Sequence, residues 1–351
     1  MTTATLKLKG PSGPWRLMAR LGLALIGILA LATTFGAGSE YLARRRAHEA
    51  YPAPGQRVDI GGRKMHIHCL GSGSPTVILE SGLDSNGSLA WEKVQGPLSK
   101  LTRTCAYDRA GVMWSDPKPG PQTADGVAAD LKATLSVARI EGPLVMVCHS
   151  LGGPYIMAFT RNNPDRVKGL VFVDCSHPDQ ITRLKPTPPS PSDLPWTTRI
   201  APALAWTGIV RAMAPADESR GLPDRSRIVG KAYLAETVEG TIKEMVSIPI
   251  TLKQGGRLRD LGDRPLVVLT ALEPYRPEHL AAIHFSQADG LAMLASWKQL
   301  NLEAASWSKR SRQQDIPDSG HYIQYQRPDL VIAAVAEVVA TVRADAAKAK
   351  P

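Results

Sequence analysis

The amino-acid sequence predicts an α/β domain: a mostly parallel sheet covered by helices on both faces, interrupted by one long insertion and preceded by an apolar N-terminal segment. Three observations carry this. Short, nearly all-apolar runs recur at residues 76–80, 104–107, 144–147, 170–173 and 266–269, and strands buried on both faces read as such runs. Segments with apolar residues at helical spacing, 124–138 and 330–342, alternate with them. Residues 178–260 break the rhythm, and about eighty residues between two sheet strands are too many for a loop.

The first element is the uncharged stretch from Leu21 to Ser39. Nineteen residues at about 1.5 Å each reach about 28 Å, close to the thickness of a bilayer core. Lys7, Lys9, Arg16 and Arg20 precede it, which places the N-terminus in the cytoplasm and the remainder on the exported side. The reading adopted is a transmembrane signal anchor. A cleaved signal with a small-residue site near Gly36, Ala37 and Gly38 competes with it, and a buried core helix is the third reading. The Arg44–Arg45–Arg46 run on the exported side works against the orientation. Residues 40–55, ending in Tyr-Pro-Ala-Pro-Gly, read as a linker, so the N-terminal unit is 1–55.

Next, residues 57–60 and 64–70 flank Gly61-Gly62 and form a predicted hairpin. The insertion opens on the proline-rich stretch 186–192 and becomes helix-like at 200–213 and 227–248. It is expected to cap the strand ends. Trp196, Trp206, Met213 and Met245 would either line an apolar pocket beneath it or only pack it onto the main domain. The division is therefore a core of 56–177 and 261–351 with a cap insertion at 178–260.

The net charge of +10 invites a nucleic-acid partner. Half the excess belongs to residues 1–50, and the rest forms no basic stripe interleaved with aromatics, so nucleic acid is excluded as the partner. The four cysteines, 69, 105, 148 and 175, have no metal-ligand spacing. Each lies in or just after an apolar run, so buried free thiols are the default; a Cys148–Cys175 disulfide is open if their strands are neighbours.

The chemistry centres on Cys148-His149-Ser150-Leu151-Gly152-Gly153, where an apolar run ends at a sharp turn and a helix begins. A serine on such a turn has an exposed hydroxyl on strained backbone, which suits a nucleophile. Cys148 stands where the G-x-S-x-G pattern has its first glycine.

Four motifs in chain order resemble those of the α/β-hydrolase superfamily, over about residues 56–345. Glu80-Ser81-Gly82-Leu83 lies where that family has its oxyanion loop, and Tyr107–Ser115 resembles its Y-D-x-x-G-x-G-x-S, with Met113 in place of the second glycine. His149–Gly153 is the nucleophile elbow, and Ser319-Gly320-His321 resembles the histidine loop. The resemblance implies an eight-stranded α/β-hydrolase sheet, mostly parallel, with helices on both faces and a helical cap insertion between the sixth and seventh strands. It implies a capped serine hydrolase, esterase- or lipase-like, with a Ser, acid, His order along the chain.

Ser150 needs a base to take its proton, and His321, on a glycine-flanked loop, is that base. Among the other histidines, His66 and His68 read as surface or packing residues and His149 as a shaper of the elbow; His177 follows Asp174, and His279 and His284 lie on a helix-like stretch. The acid is Asp174, at the end of its strand, with Glu273 after the next strand as the alternative. Asp108 reads as a turn-capping residue. Backbone N–H groups of Leu83 and Leu151 would form the oxyanion hole. The expected activity is hydrolysis of carboxylic esters through an acyl-enzyme, with a small-molecule acyl substrate and no metal or organic cofactor. Other serine-triad chemistry (amide, thioester or carbon–carbon bond hydrolysis, or perhydrolysis) and a catalytically silent binding protein are the competing readings.

Overall fold

A computed structural model describes residues 13–187, 193–214 and 221–349. Lys7, Lys9 and most of the proline-rich opening of the insertion lie outside the described residues. Helix α1, Gly13–Ala50, is followed by strands β1, Gln56–Asp59, β2, Lys64–Leu70, and β3, Thr76–Glu80. Helix α2, Glu92–Ser99, leads to β4, Thr104–Tyr107, and α3, Ala124–Val137, leads to β5, Leu144–His149. Helix α4, Gly152–Asn162, then precedes β6, Val167–Val173.

Between β6 and β7, Leu266–Ala271, the chain forms several one-turn helices and one long helix, α5, Asp224–Gly255. Helix α6, Gln287–Ser306, strand β8, Ser311–Ile316, and helix α7, Pro328–Lys348, complete the described chain.

The eight strands form one sheet in the order β1-β2-β4-β3-β5-β6-β7-β8, antiparallel across β1, β2 and β4 and parallel from β4 to β8. Because successive strand residues face opposite sides, each apolar run feeds two cores. Ile78, Met146, Leu170, Phe172 and Val268 pack toward α3 and α4. Val77, Leu79, Val145, Val147, Val171 and Leu269 pack toward α2 and α7, where Val331, Val335 and Val338 meet them. This two-sided burial is why these strands carry no polar alternation.

Two expectations, the linker and the free thiols, are corrected, and two competing readings fail. The segment after Ser39 is no linker: α1 continues to Ala50, held by the ion pairs Arg44–Glu40 and Arg45–Glu49 at helical spacing. The buried core helix reading fails, because only Glu40 and Ala47 of α1 are buried.

The cysteines are not free thiols. Cys69 and Cys105 sit directly opposite each other on β2 and β4 and are bonded, and so are Cys148 and Cys175. The free-thiol default failed because strand pairing, which the sequence does not display, decides which cysteines meet. Finally, Trp196, Trp206 and Met213 line no buried pocket: they are 71%, 55% and 76% exposed. The one-turn helices there are too short to bury a full face.

Candidate active site

The parallel strands end together, and the side chains at their carboxyl ends converge, as open α/β sheets require. Ser150 follows β5 with φ 50°. This left-handed backbone is costly for a residue with a Cβ. The turn is held from outside: the Ser150 carbonyl accepts hydrogen bonds from Gly153 N–H at 3.0 Å and from Ser176 N–H at 2.7 Å. Crowding explains the small neighbours. A Cβ on Gly152 would stand 2.8 Å from the Glu80 carbonyl oxygen, and one on Gly82 would stand 2.8 Å from the Ser150 Cβ. Gly82 thus brings the 80–83 loop against the serine, and Leu83 follows it directly. Leu151 is the first residue after the serine and is buried at the start of α4.

Asp174 follows β6 and is also left-handed, at φ 48°. Its carboxylate is buried and accepts three hydrogen bonds. Oδ1 takes Ala271 N–H at 3.0 Å and Trp297 Nε1–H at 2.7 Å; Oδ2 takes His321 Nδ1–H at 2.6 Å. Two of those donors arrive from β7 and α6, so the carboxylate is oriented before it meets the histidine. With Nδ1 committed to Asp174, Nε2 of His321 is the nitrogen left to exchange a proton. The structure therefore joins Asp174 to His321. Glu273 instead lies beside the histidine loop: its Oε2 would stand 3.2 Å from a Cβ on Gly320, and its N–H donates to the Ser319 carbonyl at 3.1 Å.

The histidine loop is pinned by its neighbours. Gln326 Oε1 accepts from Gly320 N–H at 2.8 Å and from the Ser319 hydroxyl at 3.1 Å. His149 Nε2–H donates to the His321 carbonyl at 2.9 Å, and the two rings lie 4.6 Å apart. Burial holds the His149 imidazole well below its ordinary pKa, and the neighbouring His321 adds to this. His149 is thus a neutral donor that fixes the loop.

The loop containing Gly82 is anchored by a residue that sequence reasoning passed over. Arg109 is buried and donates to the Glu80 carboxylate at 2.7 Å, the Ser81 carbonyl at 2.8 Å and the Gly82 carbonyl at 2.7 Å. It also grips both carboxylate oxygens of Glu244 on α5 at 2.7 Å. Tyr107 donates its hydroxyl to Glu80. Burial pushes Glu80 up to about 7 while Arg109 pulls it back. The only sequence signal for this cluster was that Arg109 sits within the Tyr107–Ser115 motif. Its partner Glu244, 135 positions away, left none.

Asp108 is buried and accepts from Ser88 N–H at 2.6 Å and Trp114 N–H at 3.3 Å, consistent with a structural role. His66 Nδ1 lies 2.7 Å from Asp108 Oδ2, and the His66 ring is fully buried. Met113, where the motif has a glycine, takes φ 48°. That is the reason glycine suits this position.

Among the described residues, one cluster has the donor set for a metal: His177, Asp179 and Glu303, whose ligand atoms lie within 4.8 Å of one another. Two guanidinium groups already occupy its carboxylates. Arg259 binds Asp179 at 2.6 and 2.8 Å, and Arg183 binds Glu303 at 2.5 Å. Both carboxylates of this donor set are thus already paired with cations of the chain itself.

The sheet order and the residues gathered at its strand ends can be set against known proteins. Residues 66–334 match the model of the alpha/beta hydrolase family, so the chain belongs to that family. An esterase from Thermogutta terrifontis superposes with a TM-score of 0.59 at 22% identity, covering 82% of this chain and 99% of that one. An uncharacterized protein of Schizosaccharomyces pombe is 30% identical over 46% of this chain and 36% of its own length. An uncharacterized vacuolar membrane protein of Saccharomyces cerevisiae is 33% identical over 31% of this chain and 17% of its own. The chain therefore spans about a third or less of the length of these curated relatives.

Proposed function

We propose that this chain is a serine hydrolase acting on carboxylic esters, with Ser150 as nucleophile, His321 as base and Asp174 as acid. The single observation that carries this reading is the 2.6 Å hydrogen bond from His321 Nδ1 to Asp174, on a loop tied to the left-handed Ser150 turn through its chain neighbour His149, which donates to the His321 carbonyl at 2.9 Å.

His321 Nε2 takes the Ser150 hydroxyl proton as Oγ adds to the ester carbonyl. The Leu83 and Leu151 N–H groups receive the charge that develops on the carbonyl oxygen. The tetrahedral adduct collapses, the alcohol leaves with the proton from His321, and the acyl group stays on Ser150. Water then loses a proton to His321 and attacks the acyl carbon. The carboxylic acid departs and Ser150 regains its proton. No step calls on a metal or an organic cofactor.

Serine at the elbow favours this chemistry over reactions that need a carboxylate nucleophile, because the covalent intermediate is an ester of the substrate's own acyl group. Residues 178–260 act as a cap over the site, and core residues 56–177 and 261–351 carry the chemistry. The apolar stretch of α1 anchors the chain in a membrane, with the catalytic domain on the exported side. The two disulfides support that side, since they persist in oxidising compartments.

A panel of nitrophenyl esters, matched amides and thioesters tests the substrate class on the purified full chain. Ester turnover should exceed amide turnover by at least about a hundredfold in kcat/KM, a factor worth about 2.7 kcal/mol of barrier. Equal or faster amide turnover would overturn the ester assignment.

A further inference from the structure

We propose that the outer face of the segment from Trp196 to Met213 lies in the lipid interface of the bilayer that holds α1, so that the cap rests on the membrane. The proposal rests on the reading that the uncharged stretch of α1 enters a membrane. It goes beyond that reading by assigning lipid as the partner of a second, separate surface.

Three observations support it. The first is the level at which the cap meets α1. The Thr207 carbonyl sits against Gly36, where a Cβ would stand only 2.2 Å from its oxygen. Gly36 lies three residues inside the end of the uncharged stretch at Ser39, or about 4.5 Å along the helix. A cavity of about 590 Å³ continues the junction inward, with Ala32, Thr33 and Phe35 facing Ile209 and Ala212. If the stretch fills the hydrocarbon, this part of the cap stands at or below the headgroup level.

The second observation is what the cap exposes there. Trp196, Ile200, Leu204, Trp206, Ile209 and Met213 are all between 37% and 76% exposed. Six large apolar side chains on 18 residues of helical turns are costly in water. Tryptophan with short apolar helices is the composition of a lipid–water interface.

The third is how charge is handled at the junction. Glu40, the first ionised residue after the uncharged stretch, is buried and bonded to Arg44 at 2.9 Å and to Arg211 of the cap at 2.9 and 3.1 Å. Those pairs neutralise the Glu40 carboxylate and leave one net positive charge at the junction, the sign that suits a lipid headgroup level. His48, two turns further along α1, meets Glu236 of α5 at 3.1 Å, so the attachment continues on the aqueous side.

The placement has a consequence for the site. Beyond the undescribed residues 215–220, Gly221 packs on the Tyr325 carbonyl and Leu222 joins the apolar cluster of Ile323 and Tyr325, next to the histidine loop. The chain that follows the proposed lipid-facing segment thus packs on the helical turn that comes directly after the histidine loop.

Single cysteines test this in the full chain, because all four native cysteines are in disulfides. Trp206→Cys, Met213→Cys, Leu25→Cys and Lys168→Cys variants would each carry an environment-sensitive fluorophore and be placed in phosphatidylcholine vesicles containing 5-doxyl lipid. Labels at 25, 206 and 213 should lose at least half their emission to the doxyl quencher, while the label at 168, at the far end of the sheet, should not. Quenching at 25 with 206 and 213 behaving like 168 would overturn the proposal and leave the anchor standing. No quenching at any position would overturn the anchor as well.

Discussion

Arg109 and Glu244 form a bidentate, fully buried ion pair, with Nε and Nη2 of the arginine each 2.7 Å from a different carboxylate oxygen. The same guanidinium holds the carbonyls of Ser81 and Gly82. One side chain therefore joins α5, in the segment proposed as the cap, to the loop that faces Ser150.

This junction makes Glu244 a positioning residue for the 80–83 loop. Glu244→Gln leaves Arg109 with one carboxylate, Glu80, in a site closed to water. Removing one partner of a buried pair costs about 3–5 kcal/mol. Thermal unfolding should show that loss, and kcat on a soluble ester should fall at least about tenfold with KM changed less. A variant as stable and as fast as the parent would contradict the linkage.

The two candidate acids are separated by paired variants. Asp174→Asn keeps the shape but removes the acceptor for His321 Nδ1–H, so kcat on a short-chain nitrophenyl ester should fall about 10³–10⁴-fold. Glu273→Gln should cost less than about tenfold. Trp297→Phe, which deletes the 2.7 Å donor to Asp174 Oδ1, should give an intermediate loss. A larger loss for Glu273→Gln would move the acid to the later strand.

His177 predicts how the fold responds to acid. Its ring is buried, accepts from Asp179 N–H at 3.1 Å through Nδ1, and faces Glu303, Arg259 and Arg183. Burial lowers it from 6.5 to about 4 despite the nearby carboxylates. Between those values the unfolded chain binds the proton and the folded chain does not, so stability rises with pH across this window. The contribution, on the order of 3 kcal/mol, is present above pH 6.5 and lost as pH falls toward 4. The melting temperature should drop from pH 7.5 to pH 5, and less so in His177→Gln. Equal drops in both would contradict this account.

Much of the sheet was legible because the middles of β3 to β7 are buried on both faces and so read as short, nearly all-apolar runs. β8 was not read as a strand from its residues: Ser-Arg-Gln-Gln-Asp-Ile lies at the sheet edge, where Arg312 pairs with Glu337 of α7 in solvent. The turn at Ser150 and the histidine loop were legible as candidates because a strained turn and an adjacent glycine leave local traces. Trp297, Glu244 and the Cys69–Cys105 pair were not. Their roles arise from contacts between segments 36 to 135 positions apart, and nothing in the local sequence of either partner marks the other.

An activated Ser150 should react with an electrophile that inactive serines leave alone. A fluorophosphonate probe on the folded full chain, read by in-gel fluorescence and peptide mass, tests it most directly. One adduct is expected, on Ser150, lost in Ser150→Ala and sharply slowed in His321→Ala. Undiminished labelling of Ser150→Ala, or an adduct on a different serine, would contradict it.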